Sequence, residues 1–126
     1  MKPARTLERY FRAVSELTSI TLLLDGDSPP YEPIANATQK LIEFYYALKK
    51  RDYQEALSKL QDSAACTQTY LELMEESEIG KNINLEPVGT RINPVLSLTP
   101  EQLQLVKVEK LNISEINTCL AALKGL

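Results

Sequence analysis

The chain has 126 residues, a formal net charge of −3 and no histidine. A chain of this length accommodates one domain, 1–126, with a core that needs neither metal nor disulfides. The acidic balance gives no global sign of a nucleic-acid binder, and the missing histidine removes the commonest general base, the commonest metal ligand and the usual partner of a Ser or Cys nucleophile.

Residues 6–24 read as a first helix, because Leu7, Phe11, Val14, Thr18 and Thr21 recur at three- and four-residue spacing. Pro3 suits its first turn, and Asp25-Gly26-Asp27-Ser28-Pro29-Pro30 stops it. On the face opposite the apolar stripe, Lys2, Arg5, Arg9 and Arg12 fall within an arc of about 80° at ~100° per residue. Such a strip is either a solvated face or a docking surface for phosphates or an acidic partner, and Arg forks suit both.

A second helix is expected over 33–50, with Ile34, Ala37, Leu41, Tyr45 and Leu48 on one stripe and Phe44 and Tyr46 widening it. Adjacent Tyr45 and Tyr46 cannot face the same way, so one is left for a partner or a second core layer. Lys49, Lys50 and Arg51 close this helix as a second basic cluster, at the end where the helix dipole favours cations.

The third helix has the clearest pattern. Asp52 and Glu55 resemble a capping box, and Tyr53, Ala56, Leu57, Leu60, Ala64, Thr67, Leu71 and Met74 follow as a heptad-like seam to about Glu78, with Gly80 expected just past the end. Cys66, Tyr70 and Leu73 lie off that seam, as a second core face or a partner contact. Glu72, Glu75, Glu76 and Glu78 crowd the last turns, where the backbone carbonyls are already negative. They form a candidate acidic docking surface. A carboxylate metal site would need ligands from other helices, and no Glu-x-x-His occurs, so neither metal nor cofactor is expected.

Residues 80–98 are the least regular, with Gly80, Pro87, Gly89 and Pro94 among isolated apolar residues, and a short hairpin would fit there. Thr99-Pro100-Glu101-Gln102 is a strong helix start. Two alternatives remain beyond it: one kinked helix from 100 to 124, or a separate last helix capped by Asn112 with Glu115 and carrying Ile113, Ile116, Leu120 and Leu123. The two cysteines, Cys66 and Cys119, fall in helical patterns and read as small buried hydrophobes.

The fold expected is thus all-α: a four- to five-helix bundle with one long central helix and a long irregular connection at about 80–98. Charge divides unevenly along it, with a balance of +2 over residues 1–51 and −5 over 52–126. No Walker loop, dinucleotide fingerprint, nucleophile elbow or Cys-x-x-Cys occurs, so no enzyme and no small-molecule substrate are expected. No apolar run approaches the ~18 residues of a membrane span, and a cytoplasmic protein without a membrane partner is expected. The function expected is a non-catalytic helical subunit that docks into a larger protein assembly or self-associates.

Asp52-Tyr53-Gln54-Glu55-Ala56-Leu57, preceded by Tyr45-Tyr46-Ala47-Leu48, resembles the middle of a tetratricopeptide unit, but no second copy follows. The short helical profile with its Lys2, Arg5, Arg9 and Arg12 strip is also similar to the small α-helical subunits of CRISPR effector complexes. That resemblance implies the alternative function: nucleic-acid contact through the basic strip, within a ribonucleoprotein.

Overall fold

Pro3 stands at the first helical position, where its missing N–H is not needed, and starts α1, Pro3–Leu23. The computed structural model describes residues 2–24, 30–77 and 80–126 and is all-α, with no strand among those residues. The expected stop signal over 25–30 lies, Pro30 apart, outside the described residues.

Two further long helices follow, α2, Glu32–Lys49, and α3, Tyr53–Glu76. They are joined by a tight C-terminal motif in which the Asp52 N–H donates to the Ala47 carbonyl and the Arg51 N–H to the Leu48 carbonyl, both at 3.0 Å. Arg51 occupies the left-handed position of that motif, at φ 62°. The Asp52 carboxylate accepts the Glu55 N–H at 3.2 Å and caps α3, as its sequence position predicts. The short turn makes α2 and α3 antiparallel, and they pack along their length.

A buried polar chain ties α1 to this hairpin. The Tyr10 hydroxyl lies 2.7 Å from Ser63 Oγ and 2.9 Å from Thr67 Oγ1, and Ser63 Oγ donates to the Ala37 carbonyl of α2 at 2.8 Å. Farther along, Thr21 Oγ1 and the Tyr70 hydroxyl meet at 2.5 Å. These contacts occur in the same order on both helices, so α1 and α3 run in the same sense. The starts of α1 and α3 and the close of α2 therefore share one end of the molecule. The close of α3 lies at the other, roughly 36 Å away for a 24-residue helix.

Every apolar position of the α1 stripe is buried, but so are Tyr10, Ala13 and Leu17 beside it. The buried arc is wide because α1 is covered on two sides, by α7, Ile113–Lys124, and by the short helices α4, Glu86–Gly89, and α5, Asn93–Leu96. Phe11 and Phe44 add an edge-to-face contact at 6.5 Å between α1 and α2. Buried threonines satisfy their hydroxyls on the preceding turn, as Thr18 does on Val14 and Thr38 on Ile34. Among the described residues no buried side-chain polar atom lacks a partner.

Several expectations need correction. The stretch 80–98 holds no hairpin, and three short helical turns interrupt the expected irregular connection. It opens on a 3₁₀ turn, Gly80–Asn82, and continues through α4 and α5, burying Leu85, Val88, Ile92, Val95 and Leu98. Turns of this kind satisfy their backbone locally, whereas a hairpin would present two edges with nothing to pair them. The third helix ends at Glu76 and not at Glu78, because Ser77 is extended and its hydroxyl donates to the Met74 carbonyl at 2.7 Å. Gly80 opens the next turn instead, and its N–H donates to Ser77 Oγ at 2.9 Å.

The capping box at Thr99 forms with Gln102 as expected, yet α6, Pro100–Leu103, lasts one turn. A 3₁₀ turn at Val108–Lys110 and an Asn112 cap on α7 follow, which removes the continuous 100–124 helix. Tyr70 is no partner contact: it is fully buried. Cys119 is buried and Cys66 half-buried, and both are free thiols.

Candidate functional site

All four residues of the predicted basic strip are exposed on α1. Lys2 is its N-cap, and Arg5 lies in a first turn that carries no acidic residue. The positive end of the helix dipole thus faces two cations, an arrangement unfavourable by a few tenths to about 1 kcal/mol each. Nothing within the helix requires it.

The strip acquires a member from elsewhere in the chain. Arg91, in the turn between α4 and α5, lines a groove of about 350 Å³ together with Arg5, Arg9, Arg12 and Glu8. Arg91 reaches it because one guanidinium nitrogen donates to the Glu16 carboxylate on α1 at 3.0 Å. A partly exposed pair of this kind contributes little to stability. Its effect is positional: it holds the fork against α1 while leaving other N–H donors for a ligand. Lys2, Arg5, Thr6 and Arg9 line an adjoining groove of about 410 Å³.

The second basic cluster is split. Lys49 and Arg51 line a groove of about 470 Å³ with Lys107 and Glu109, whereas Lys50 faces a different one with Glu43, Asp52, Glu55 and Lys59. In the latter the charges largely satisfy one another. Lys59 bonds Glu43 at 3.0 Å and Glu55 at 3.6 Å. The hydrogen bond from Lys59 is the main reason that the Glu43 carboxyl is held below the usual carboxylate range. Beside it the exposed Tyr46 ring packs edge-on against half-buried Tyr45 at 5.4 Å.

The acidic cluster is only partly a cluster. Glu72, Glu75 and Glu76 are exposed on the last turns of α3, and Glu78 lies outside the described residues. Glu75 lines a groove of about 530 Å³ together with Glu86, Asn84 and Asn93. Among the described residues no three acidic or thiol groups gather as a metal site would require. Burial, with Asp62 second, pushes the Cys66 thiol up, away from the thiolate a nucleophile needs.

No family model matches the chain, and no curated protein or solved structure matches it either. The surface itself therefore carries the functional reading. Sequence periodicity had no means of finding Arg91 or Lys107. Both lie in non-periodic stretches, and Arg91 pairs with Glu16 across 75 positions of chain.

Proposed function

We propose that this chain is a non-catalytic helical subunit that docks into a larger protein assembly or self-associates, through charged surfaces at opposite ends of a bundle. Among the long helices α2 packs against α3, α7 and α1, and the short helices α4, α5 and α6 cover α1 and α3. One observation supports the reading above the others: both charged surfaces oppose the dipole of the helix that carries them. Lys2 and Arg5 stand at the positive end of α1, and Glu72, Glu75 and Glu76 at the negative end of α3, whose last turn holds no cation. A partner of opposite charge would relieve both ends.

The alternative, phosphate contact by nucleic acid, is favoured by a different observation: Arg91 joins Arg5, Arg9 and Arg12 from a second element to make a concave guanidinium surface. None of the residues lining that groove is aromatic, so it offers backbone contact without base stacking.

One experiment separates the readings. Light scattering and sedimentation at low and high salt are run on the native chain, on Arg5/Arg9/Arg12→Glu, and on an equimolar mixture of that variant with Glu72/Glu75/Glu76→Lys. Docking predicts salt-sensitive association, or a salt-sensitive complex with a purified acidic partner, lost in either variant. Restored association in the mixture identifies self-association. A strictly monomeric chain that binds no protein partner overturns the docking reading. Salt-dependent binding of a single-stranded oligonucleotide, abolished by the arginine reversal, then supports the alternative.

A further inference from the structure

The turn between α2 and α3 contains a residue that works against the local backbone. Arg51 lies at φ 62°, in the left-handed region, and is the one non-glycine residue with positive φ among those described. Its position is the one that glycine takes in most helix ends of this type, because a Cβ crowds the following carbonyl there. The surrounding hydrogen bonds fix the conformation: the Lys50 N–H bonds the Tyr46 carbonyl, the Arg51 N–H the Leu48 carbonyl, and the Asp52 N–H the Ala47 carbonyl, each at 3.0 Å. The dipole of α2 accounts for lysines at 49 and 50. It does not account for arginine at 51, where glycine would be more stable.

The Arg51 side chain has company across the groove. Lys49 stands beside it, and Lys107 approaches from the segment that links α6 to the 3₁₀ turn Val108–Lys110. Gln104, Glu109 and half-buried Tyr53 complete the polar lining, over a volume of about 470 Å³. Lys49, Arg51, Lys107 and Glu109 are exposed, and no ion pair joins Glu109 to the three cations among the described residues. Three cations against one carboxylate leave the groove doubly positive. A lone protein carboxylate carries half that charge, whereas a phosphate monoester carries close to two negative charges at neutral pH. The fork of Arg51 and the point charges of two lysines supply the donors that its oxygens require.

We propose that the groove between the α2–α3 turn and residues 104–109 is a phosphate-binding site, with Arg51, Lys49 and Lys107 as its cationic walls. The site is separate from the α1 strip and stands or falls without it.

The decisive variant is Arg51→Gly, because strain and binding move in opposite directions. Inorganic pyrophosphate is titrated at constant ionic strength into the full-length chain and followed by amide NMR, alongside thermal unfolding without ligand. The expected result for Arg51→Gly is a Tm higher by roughly 2–6 °C, from relief of the left-handed arginine, together with at least a fivefold loss of pyrophosphate affinity. Arg51→Lys should keep most of the affinity and none of the gain in Tm. Lys107→Glu should lose affinity with Tm unchanged.

A short oligothymidylate gives the second arm. Tighter binding than pyrophosphate, with shifts at the same amides, identifies the phosphate as that of a nucleic-acid backbone. Binding of pyrophosphate alone identifies a small phosphate ligand. Three results overturn the proposal: an Arg51→Gly protein that binds pyrophosphate as before, one that gains no stability, or native-protein shifts confined to the amides around Arg5, Arg9, Arg12 and Arg91.

Discussion

Replacing Tyr10 by Phe tests the buried polar chain that holds three helices together. The proton count fixes the magnitude. Ser63 Oγ donates to the Ala37 carbonyl at 2.8 Å and Thr67 Oγ1 to the Ser63 carbonyl at 2.9 Å, so both hydroxyl protons are committed. Tyr10 is then the donor, and its one proton serves Ser63 at 2.7 Å or Thr67 at 2.9 Å, not both at full strength. Phe keeps the ring volume and opens no cavity. The two hydroxyls it leaves behind keep the bonds they donate, so neither becomes a buried unsatisfied donor. The expected loss is that of one buried hydrogen bond, about 1 kcal/mol within ~0.5–1.5, far below the ~3–5 kcal/mol of deleting a buried ring. In urea the midpoint should fall with the slope unchanged, since the surface exposed on unfolding stays the same. Combined with Ser63→Ala, the losses should be less than additive by roughly 0.5 kcal/mol or more, because one bond is removed twice. A neutral Tyr10→Phe, a loss above ~3 kcal/mol, or strict additivity with Ser63→Ala would refute the proton assignment.

Two other outcomes follow from the same core. Burial pushes the Tyr10 and Tyr70 hydroxyls above their ordinary value of 10.0, so the folded state holds these protons more tightly than the unfolded chain. The associated stability is complete below pH ~10 and falls as pH rises beyond it, by up to ~1.4 kcal/mol per pH unit for each tyrosine; Tyr10→Phe should make that alkaline limb shallower in pH-dependent urea unfolding. At Gly80 a Cβ would stand 1.5 Å from the Met74 carbonyl oxygen, so Gly80→Ala must displace backbone. It should lose at least ~1–3 kcal/mol in the same assay, the range of overpacked cores.

The parts of the fold that were legible are those where local chemistry and tertiary burial agree. The α3 seam from Ala56 to Met74, the Asp52 cap and the Thr99–Gln102 box each depend on residues within a few positions of one another, and each is found where its pattern lies. Legibility fails where the deciding interaction is distant. Tyr70 reads as either core or partner contact because tyrosine suits both, and Tyr10 falls outside the apolar stripe expected for the first helix. Their burial was settled by Ser63, Thr67 and Thr21, between 49 and 57 positions away. The 80–98 segment is built on helices of about one turn each, too short for a helical period to show. Its alternation of proline with single apolar residues belongs to one-turn helices whose order comes from docking on α1 and α3. The candidate surface divides in the same way: the α1 strip lies on one helix and was visible, while Arg91 and Lys107 come from non-periodic chain and were not.

What distinguishes the candidate surfaces from ordinary solvated charge is where local chemistry and fold disagree. In the interior nearly every choice is consistent: threonines bond the preceding turn, and no buried side-chain polar atom among the described residues is unpartnered, while side-chain caps start α3, α6 and α7. The departures are few and all at the surface. Cations occupy the positive end of α1, carboxylates the negative end of α3, and an arginine a left-handed turn suited to glycine. Each costs on the order of a few tenths to 2 kcal/mol. Against a total stability of about 5–15 kcal/mol for a domain, that is a substantial fraction. The proposed docking and phosphate-binding surfaces would offset these costs through contacts made outside the chain, which is why the charge-reversal and Arg51 experiments test function and not only stability.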